Sequence, residues 1–358
     1  MNIVIISNIS RGLYSFRREL VEILSKSHNV TVLAADTGHV SELKAMGCNF
    51  IDVPMDRHGT NPLKELQLIS RYRKLLKDLK PEIALTYTIK PNIYGGMVCA
   101  SLGIRQVANI TGLGTAVENS GKTQKLMLAL YRCGLRKAQM VFFQNQANMD
   151  YMIEKKVVKG RYDLLPGSGV NLEQYKVLEY PLGDTVHFTY IGRVTKKKGI
   201  EQFIEAAKTI HEEYPQTCFH ICGRCDSEYE TLIKELNEKG MVIYHGLIDD
   251  ISGMHAISSC TLHPSYYPEG MSNVLLESCA CARPIITTDR PGCREVVDDG
   301  VNGFVVKQRD SKDLIEKVEK FLNLSWEERR QMGLRGREKV EKTFDRSIVI
   351  KKYLEAIG

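Results

Sequence analysis

Short apolar runs that alternate with amphipathic segments constrain the fold of this chain more than any other feature. Residues 3–7 predict a buried strand, residues 14–27 a helix and residues 29–34 a second strand, with a turn expected at residues 8–13. A strand, a helix and a strand in this order build a parallel sheet with covering helices. The sequence therefore predicts an α/β chain with doubly wound sheets.

The same alternation continues to the end of the chain. Further strands are predicted at residues 50–53, 83–87, 106–110, 140–144, 186–191, 218–222, 242–244 and 283–288, with helices between them. A length of 358 residues suggests two domains. Pro181 and Gly183 mark a linker at residues 176–184. We expect domains at residues 1–178 and 179–344, followed by a final helix at 345–358.

Composition excludes several classes of protein. The chain is 43% hydrophobic and 26% charged, as in soluble globular proteins, and it has no apolar run near the roughly 18 residues that span a bilayer. Its start lacks a basic leader, so we expect a cytoplasmic protein. The ten Cys are scattered without zinc spacing, and the acidic pairs at 249–250 and 298–299 fit turns. We expect no metal and no other cofactor.

Charge is unevenly divided. Residues 1–175 carry 23 Lys and Arg against 14 Asp and Glu, whereas the remainder carries 26 against 29. This suggests an anionic partner for the first half, for which a membrane surface, a pyrophosphate-linked lipid and nucleic acid all qualify, although no nucleic-acid motif is visible. The alternative is a solvated basic face. The predicted helix at 122–137 has Leu126 and Leu130 beside five basic residues and no acid. It could lie in a lipid interface, or it could be a core helix with a solvated face.

Residues 264–277 contain a pattern that suggests an anion-binding turn. The run turns through Pro268 and Gly270 and opens a helix, with Ser272 or Asn273 as its N-cap. Free amides at a helix start bind anions. Glu269 and Glu277 would flank that site. A nucleotide diphosphate sugar, with hydroxyls on both sides of its pyrophosphate, would fit, although two acids at a fixed spacing are also found at ordinary polar helix starts.

Residues 192–199 contain a second pattern for the same chemistry. Gly192 and Arg193 follow a predicted strand, and Lys198 and Gly199 precede a helix. The guanidinium offers a planar fork for phosphate oxygens and the ammonium a point charge. The alternative is a charged loop, in which Lys196 and Lys197 are solvated.

In this order, and over nearly the whole chain, these segments resemble the retaining nucleotide-sugar glycosyltransferases of the GT-B fold, family four. Residues 90–92 and 111–114 resemble the branch that extends lipid-carried glycans in bacteria. The resemblance implies two Rossmann-like domains facing across a cleft, with the acceptor on the first and the donor on the second. It also implies that the final helix packs back on the first domain.

The resemblance implies the following site residues. The catalytic residues would be Glu269, Arg193 and Lys198. The donor would be bound by Gly12, Gly192, Arg193, Lys198, Gly223, Arg224, Glu269, Gly270, Met271, Ser272, Asn273 and Glu277, and the acceptor by Lys90, Asn92 and Thr111. Glu277 would hold the ribose hydroxyls, and Glu269 the sugar. Gly12 has the alternative role of a tight-turn glycine. Many relatives have a His where this chain has Thr111, so no catalytic histidine is assigned.

The expected activity is transfer of a sugar from a nucleotide diphosphate sugar, with uridine the preferred base. The acceptor would be a polyprenyl-diphosphate-linked glycan at the inner face of the membrane, in surface polysaccharide or glycan biosynthesis. The anomeric configuration would be retained, and the leaving phosphate would take the acceptor proton. One alternative is a nucleotide-sugar epimerase, which would release a free epimer without an acceptor. Another is a regulator that binds the donor without turnover.

Overall fold

The chain folds into two compact units in a computed structural model that describes residues 1–56, 61–118 and 120–358. The first unit comprises Met1–Ser168, Glu269–Met271 and Ser347–Gly358. The second comprises Gly169–Pro268 and Ser272–Arg346. The predicted domain boundary after residue 178 stays a prediction.

The first unit is built on a parallel sheet of seven strands among its described residues. The strands are β1 Asn2–Ile9, β2 Asn29–Ala35, β3 Asn49–Asp52, β4 Ile83–Tyr87, β5 Arg105–Ile110, β6 Ala138–Phe143 and β7 Tyr162–Leu164. Their order is β3-β2-β1-β4-β5-β6-β7. The sheet grows in one direction from β1 to β3 and in the other from β4 to β7, so the topological switch point lies between β1 and β4.

Helices cover both faces of this sheet. They are α1 Ser10–Ser25, α2 Val40–Ala45, α3 Pro62–Leu79, α4 Gly96–Leu102, α5 Thr115–Glu118, α6 Lys122–Leu135 and α7 Gln146–Glu154, with a π-helical turn at Pro91–Gly95 before α4. The last helix, α14 Arg346–Ile357, belongs to this unit from Ser347 onward. Ile3 and Ile5 pack on one face with Tyr353, and Val4 and Ile6 pack on the other. The alternation buries both faces, as a doubly wound sheet requires.

The second unit repeats this architecture with six parallel strands among the described residues. The strands are β8 Val186–Ile191, β9 Thr217–Cys222, β10 Ile243–Gly246, β11 Cys260–His263, β12 Ile285–Thr288 and β13 Gly303–Val306, in the order β10-β9-β8-β11-β12-β13. The helices are α8 Ile200–Glu213, α9 Ser227–Glu238, α10 Ser252–Ile257, α11 Asn273–Ala280, α12 Ser311–Leu322 and α13 Trp326–Thr343. A short 3-10 turn, Lys196–Lys198, precedes α8. The switch point here lies between β8 and β11.

The two faces of the second sheet differ in chemistry. One face is an aromatic core that includes Phe188, Phe203 and Phe219. On the other face, the buried hydroxyls of Thr189 and Thr261 are linked by a 3.3 Å hydrogen bond. Ser258 Oγ lies 2.8 Å from Thr189 Oγ1, and Ser278 Oγ lies 2.9 Å from Thr261 Oγ1. Pairing these groups removes the cost of burying them alone.

The predicted fold class is confirmed, because both units contain doubly wound parallel sheets. The predicted strands at 83–87 and 186–191 agree with β4 and β8 to the residue. The turn predicted at residues 8–13 is wrong. β1 runs to Ile9 and α1 begins at Ser10, where the Ser10 hydroxyl donates to Gly38 O at 2.7 Å and accepts from Thr37 N at 2.9 Å. Gly12 therefore lies in the first turn of α1.

Candidate functional site

The switch point of the second sheet places two predicted cations together. Ligands of doubly wound sheets bind beyond the carboxyl ends of the strands at such a point. Arg193 follows β8 and Tyr267 follows β11, the two strands that flank it. The Arg193 guanidinium carbon lies 5.4 Å from the centre of the Tyr267 ring, and Lys198 Nζ lies 5.6 Å from the same centre. Arg193 is exposed and Lys198 is half-buried.

Main-chain hydrogen bonds join the ends of the neighbouring strands. The Gly192 amide donates to Cys222 O at 2.9 Å, and the Gly223 amide donates to Gly246 O at 2.7 Å. The Val194 amide donates to Arg224 O at 2.9 Å. Gly192, Gly223 and Arg224 thus lie along one edge of the sheet with Arg193, as their positions after β8 and β9 predict. The Arg224 side chain is exposed.

The start of α11 lies where the sequence predicted it, but its hydrogen bonds differ from the prediction. Ser272 occupies the N-cap position, but its Oγ lies 3.1 Å from His263 Nε2 and makes no side-chain cap. The Ser272 amide donates to Gly292 O at 2.8 Å. This N–H group, which the prediction assigns to an anion of the donor, is therefore already hydrogen-bonded within the protein. Ser272 is thus the N-cap residue, as predicted, but its side chain does not accept a hydrogen bond from the amides of α11. Among the described residues, Asn273 Oδ1 is buried without a hydrogen-bond partner.

Glu277 lies in the second turn of α11 and is only 9% exposed. Burial raises the pKa of its carboxyl to about 7, while the nearby Arg346 charge and a hydrogen bond with Tyr175 lower it. Because the first effect is the larger, the carboxyl changes charge near neutral pH. A carboxylate there could accept hydrogen bonds from ligand hydroxyls.

Arg346 is itself held by a glycine-rich turn. Its amide donates to Val170 O at 3.0 Å, and its guanidinium donates to Gly169 O at 3.1 Å. The Val170 amide in turn donates to Phe344 O at 2.8 Å. Sequence reasoning missed both Tyr175 and Arg346, since each lies about 70 or more residues from Glu277 in the chain. Of the three residues Glu277, Tyr175 and Arg346, only Glu277 belongs to a local sequence motif.

In the first unit, the residues around Glu269 and Gly270 are fixed by side chains after β6. Asn145 Nδ2 donates to Gly270 O at 2.6 Å and to Glu269 O at 3.2 Å. Asn145 Oδ1 accepts from Asn148 N at 2.8 Å and so also caps α7. A Cβ at position 270 would lie 2.5 Å from both Gln144 Oε1 and Thr111 O, so the position requires glycine. The sequence did not identify Asn145.

A hydrogen-bonded chain runs inward from Gln144 to the last helix. Gln144 Nε2 donates to Asn109 Oδ1 at 3.4 Å, and Asn109 Nδ2 donates to the Tyr353 hydroxyl at 2.7 Å. Tyr353 is fully buried on α14. These three residues support the edge of the first sheet on which Thr111 and Gly270 lie.

The predicted acceptor residues have different surroundings. Asn92 is fully buried, where its Oδ1 accepts from Thr86 Oγ1 at 2.7 Å and its Nδ2 donates to Asn109 O at 2.8 Å. This placement argues against a direct contact of Asn92 with an acceptor and makes it a support of the loop after β4. Lys90 Nζ forms a 2.5 Å ion pair with Glu65. Thr111 is partly exposed directly after β5.

In residues 1–56, 61–118 and 120–358, no group of three or more His, Cys, Asp and Glu side chains is arranged to hold a metal ion. Over the same ranges, none of the helices has the length and apolar character needed to cross a bilayer.

Two family models match the chain. Residues 3–145 match the model described as glycosyl transferase 4-like, and residues 179–339 match the model described as glycosyl transferases group 1. Together they cover the chain except residues 1–2, 146–178 and 340–358. The matches thus cover most of both sheets.

Three similar proteins match this chain over nearly its whole length. The N,N'-diacetylbacillosaminyl-diphospho-undecaprenol alpha-1,3-N-acetylgalactosaminyltransferase of Campylobacter jejuni is 23% identical, with 99% of this chain and 98% of that protein covered. The capsular polysaccharide biosynthesis glycosyltransferase CapM of Staphylococcus aureus is 24% identical over 95% and 92%. The crystal structure of Anabaena Alr3699/HepE in complex with UDP and glucose has a TM-score of 0.81, with 18% identity over 100% and 99%. That structural similarity identifies the fold as GT-B.

Proposed function

The chain belongs to the glycosyltransferases of the GT-B fold, and we propose that it transfers a sugar from a UDP-sugar to a polyprenyl-diphosphate-linked glycan, with retention of the anomeric configuration. The transfer would serve surface polysaccharide or glycan biosynthesis. The observation that carries the proposal is the pair of cations, Arg193 and Lys198, on one ring at the switch point of the second sheet.

A diphosphate is the ligand group that this pair fits best. Two cations beside one aromatic ring attract an anion with more than one charge, and the β-phosphate of a nucleotide sugar gains charge as the sugar leaves. Glu277 would accept hydrogen bonds from the ribose hydroxyls as a carboxylate. Uridine as the base is supported by the UDP bound in the Anabaena structure.

The proposed reaction exchanges one bond for another at the anomeric carbon. The bond from that carbon to the β-phosphate oxygen breaks, and its electron pair goes to the oxygen, where Arg193 and Lys198 would stabilise the charge. The acceptor hydroxyl oxygen forms the new bond on the same face of the sugar, and its proton goes to the leaving β-phosphate. Stabilising developing charge is usually the largest part of such catalysis.

The donor contacts of Gly12 and of Glu269, Gly270 and Met271 in the first unit remain predictions drawn from the family resemblance. The same holds for Gly192, Gly223, Arg224, Ser272 and Asn273 in the second. Thr111 is retained as an acceptor contact, since it is accessible beyond β5. Lys90 is also retained as an acceptor contact, and its ammonium forms an ion pair with the Glu65 carboxylate.

A lipid-linked acceptor is supported by chemistry on the first unit. The Campylobacter relative is named for a diphospho-undecaprenol substrate. In α6, Leu128 and Tyr131 are buried, whereas Lys125 and Leu126 are exposed, with Leu126 60% accessible. An exposed leucine between cations suits the interface of an anionic membrane. We therefore propose peripheral binding at the inner face of the membrane, and no binding of nucleic acid.

A panel of nucleotide sugars tests the proposed activity. The purified protein is incubated with each donor, with and without polyprenyl-diphosphate-linked glycans, and products are identified by mass spectrometry. We expect one UDP-sugar to be consumed and the lipid-linked glycan to gain one sugar. Release of a free epimer without an acceptor would instead identify an epimerase. Donor binding without turnover on any lipid acceptor would identify a regulator.

A further inference from the structure

We propose that Tyr267 is a positioning residue for the transfer reaction, whose ring face holds Arg193 and Lys198 where they can meet the β-phosphate together. The inference rests on the proposed function. Tyr267 is not one of the charged motif residues, which are Glu269, Glu277, Arg193 and Lys198. Its aromatic side chain would act beside them. Tyr267 acts through the cations and need not touch the sugar.

The contacts place one ring against both cations. Arg193 follows Gly192 after the end of β8, and Lys198 closes the short turn before α8. Their charged groups lie 5.4 and 5.6 Å from the Tyr267 centroid, both within the roughly 6 Å at which a cation is attracted to an aromatic face. Long, flexible side chains lose rotamer entropy when a ligand fixes them. A ring that restrains them beforehand reduces this cost when phosphate binds.

An aromatic face has an advantage over a carboxylate in this position. A carboxylate would fix the cations through charge-assisted hydrogen bonds and neutralise them. The Tyr267 ring attracts them through its quadrupole and carries no formal charge. The ring contact therefore orients Arg193 and Lys198 without itself placing a negative charge beside them.

The segment that bears Tyr267 is joined closely to the loop that bears the cations. The amide of Tyr266 donates to Lys197 O at 2.9 Å, and the hydroxyl of Tyr190 donates to Arg193 O at 2.7 Å. A Cβ at Gly199 would lie 2.1 Å from Pro264 O, so the two segments approach as closely as only glycine allows. These contacts hold the segment that bears Tyr267 beside the loop that bears the cations, and the ring contacts are present without a ligand.

Substitutions at Tyr267 separate the ring face from the hydroxyl. Binding of UDP and UMP is measured by calorimetry, and kcat and KM with the donor found in the panel. We expect Tyr267→Leu to weaken UDP binding and lower kcat/KM by about tenfold, because two cation contacts are lost. UMP, which lacks the β-phosphate, should bind as it does to the wild type. Tyr267→Phe keeps the ring and should stay within about twofold of the wild type for both ligands.

A background without the cations provides the decisive comparison. If Tyr267 acts through them, Tyr267→Leu should change UDP affinity less than about twofold when added to the Arg193→Ala, Lys198→Ala double variant. An unchanged tenfold loss in that background would overturn the inference. So would an equal loss of UDP and UMP affinity in Tyr267→Leu, since that would indicate a structural defect.

Tyr151→Leu is a matched control, because Lys155 Nζ lies 5.6 Å from the Tyr151 ring centre on the first unit. This variant should bind and turn over UDP-sugar as the wild type does. Failure of the wild type to bind UDP would count against the proposed donor. If the wild type binds UDP and Tyr267→Leu binds it equally well, the proposed role of the Tyr267 ring is wrong. The proposed donor would not be affected by that result.

Discussion

At the residue scale, single motif positions were predictable, whereas their partners were not. Arg193, Lys198 and Glu277 could be chosen from local patterns, because each stands at a fixed place beside a strand end or a helix start. Tyr267 and Tyr175 could not, since the fold brings them to those residues from elsewhere in the chain. Asn92 could be placed at a strand end from the sequence, but its full burial and its hydrogen bond to Asn109 O could not be predicted.

The carboxyl of Glu277 makes a prediction about pH. Its pKa in the fold, about 7, lies above the ordinary value of 4.5, so the native state holds this proton to higher pH than the unfolded chain. The contribution of this carboxyl to the free energy of unfolding is fully present below about pH 4.5 and is lost as pH rises through about 7. The ionised carboxylate accepts hydrogen bonds from ribose hydroxyls more strongly than the protonated carboxyl does. We therefore expect UDP affinity to increase between about pH 6 and about pH 8.

Glu277→Gln separates this effect from titration of the ligand. The variant should bind UDP more weakly at high pH, and it should lack the part of the pH dependence that belongs to the protein. Calorimetric titrations of both proteins across the same pH range provide the measurement, because UDP itself titrates identically in each. Parallel affinity profiles for the two proteins would contradict the ribose role of Glu277.

At the element scale, strand positions were predicted better than loops. The strands of both sheets are strongly apolar, so their type follows from local sequence. The polar residues after β1 looked like a turn, but a tertiary contact of the Ser10 hydroxyl with residues after β2 lets α1 start there. The basic helix α6 was also located from its pattern, and the structure adds which of its residues are exposed.

The exposed face of α6 makes a prediction about membranes. Leu126→Glu should weaken binding to vesicles that contain phosphatidylglycerol by about tenfold, because it removes an apolar contact and adds a repelled charge. Binding of the wild type should also fall as salt is added. Sedimentation with vesicles measures both effects.

Leu182→Glu is the matched control, since Leu182 is 83% exposed on the second unit. It should bind vesicles as the wild type does. Equal losses in the two variants, or equal binding of the wild type to neutral and anionic vesicles, would contradict a specific role for α6.

At the scale of the whole molecule, the fold class and the family were predictable because many weak motifs occur in the right order. No single one of them would suffice, as the ordinary alternatives for Glu269 and Glu277 show. The sugar, the linkage and the acceptor are not encoded in such motifs, since they depend on the shapes that loops form around the ligand. The supports of those loops, such as Asn145 and Tyr353, became visible only in the structure.

The most direct test of the central claim is the anomeric configuration of the transferred sugar. The protein is supplied with each UDP-sugar of the panel and a polyprenyl-diphosphate-linked glycan, and any new linkage is determined by nuclear magnetic resonance. The account predicts a lipid-linked product in which the sugar keeps the anomeric configuration of the donor. An inverted linkage, or no transfer from any UDP-sugar to a lipid-linked glycan, would contradict it.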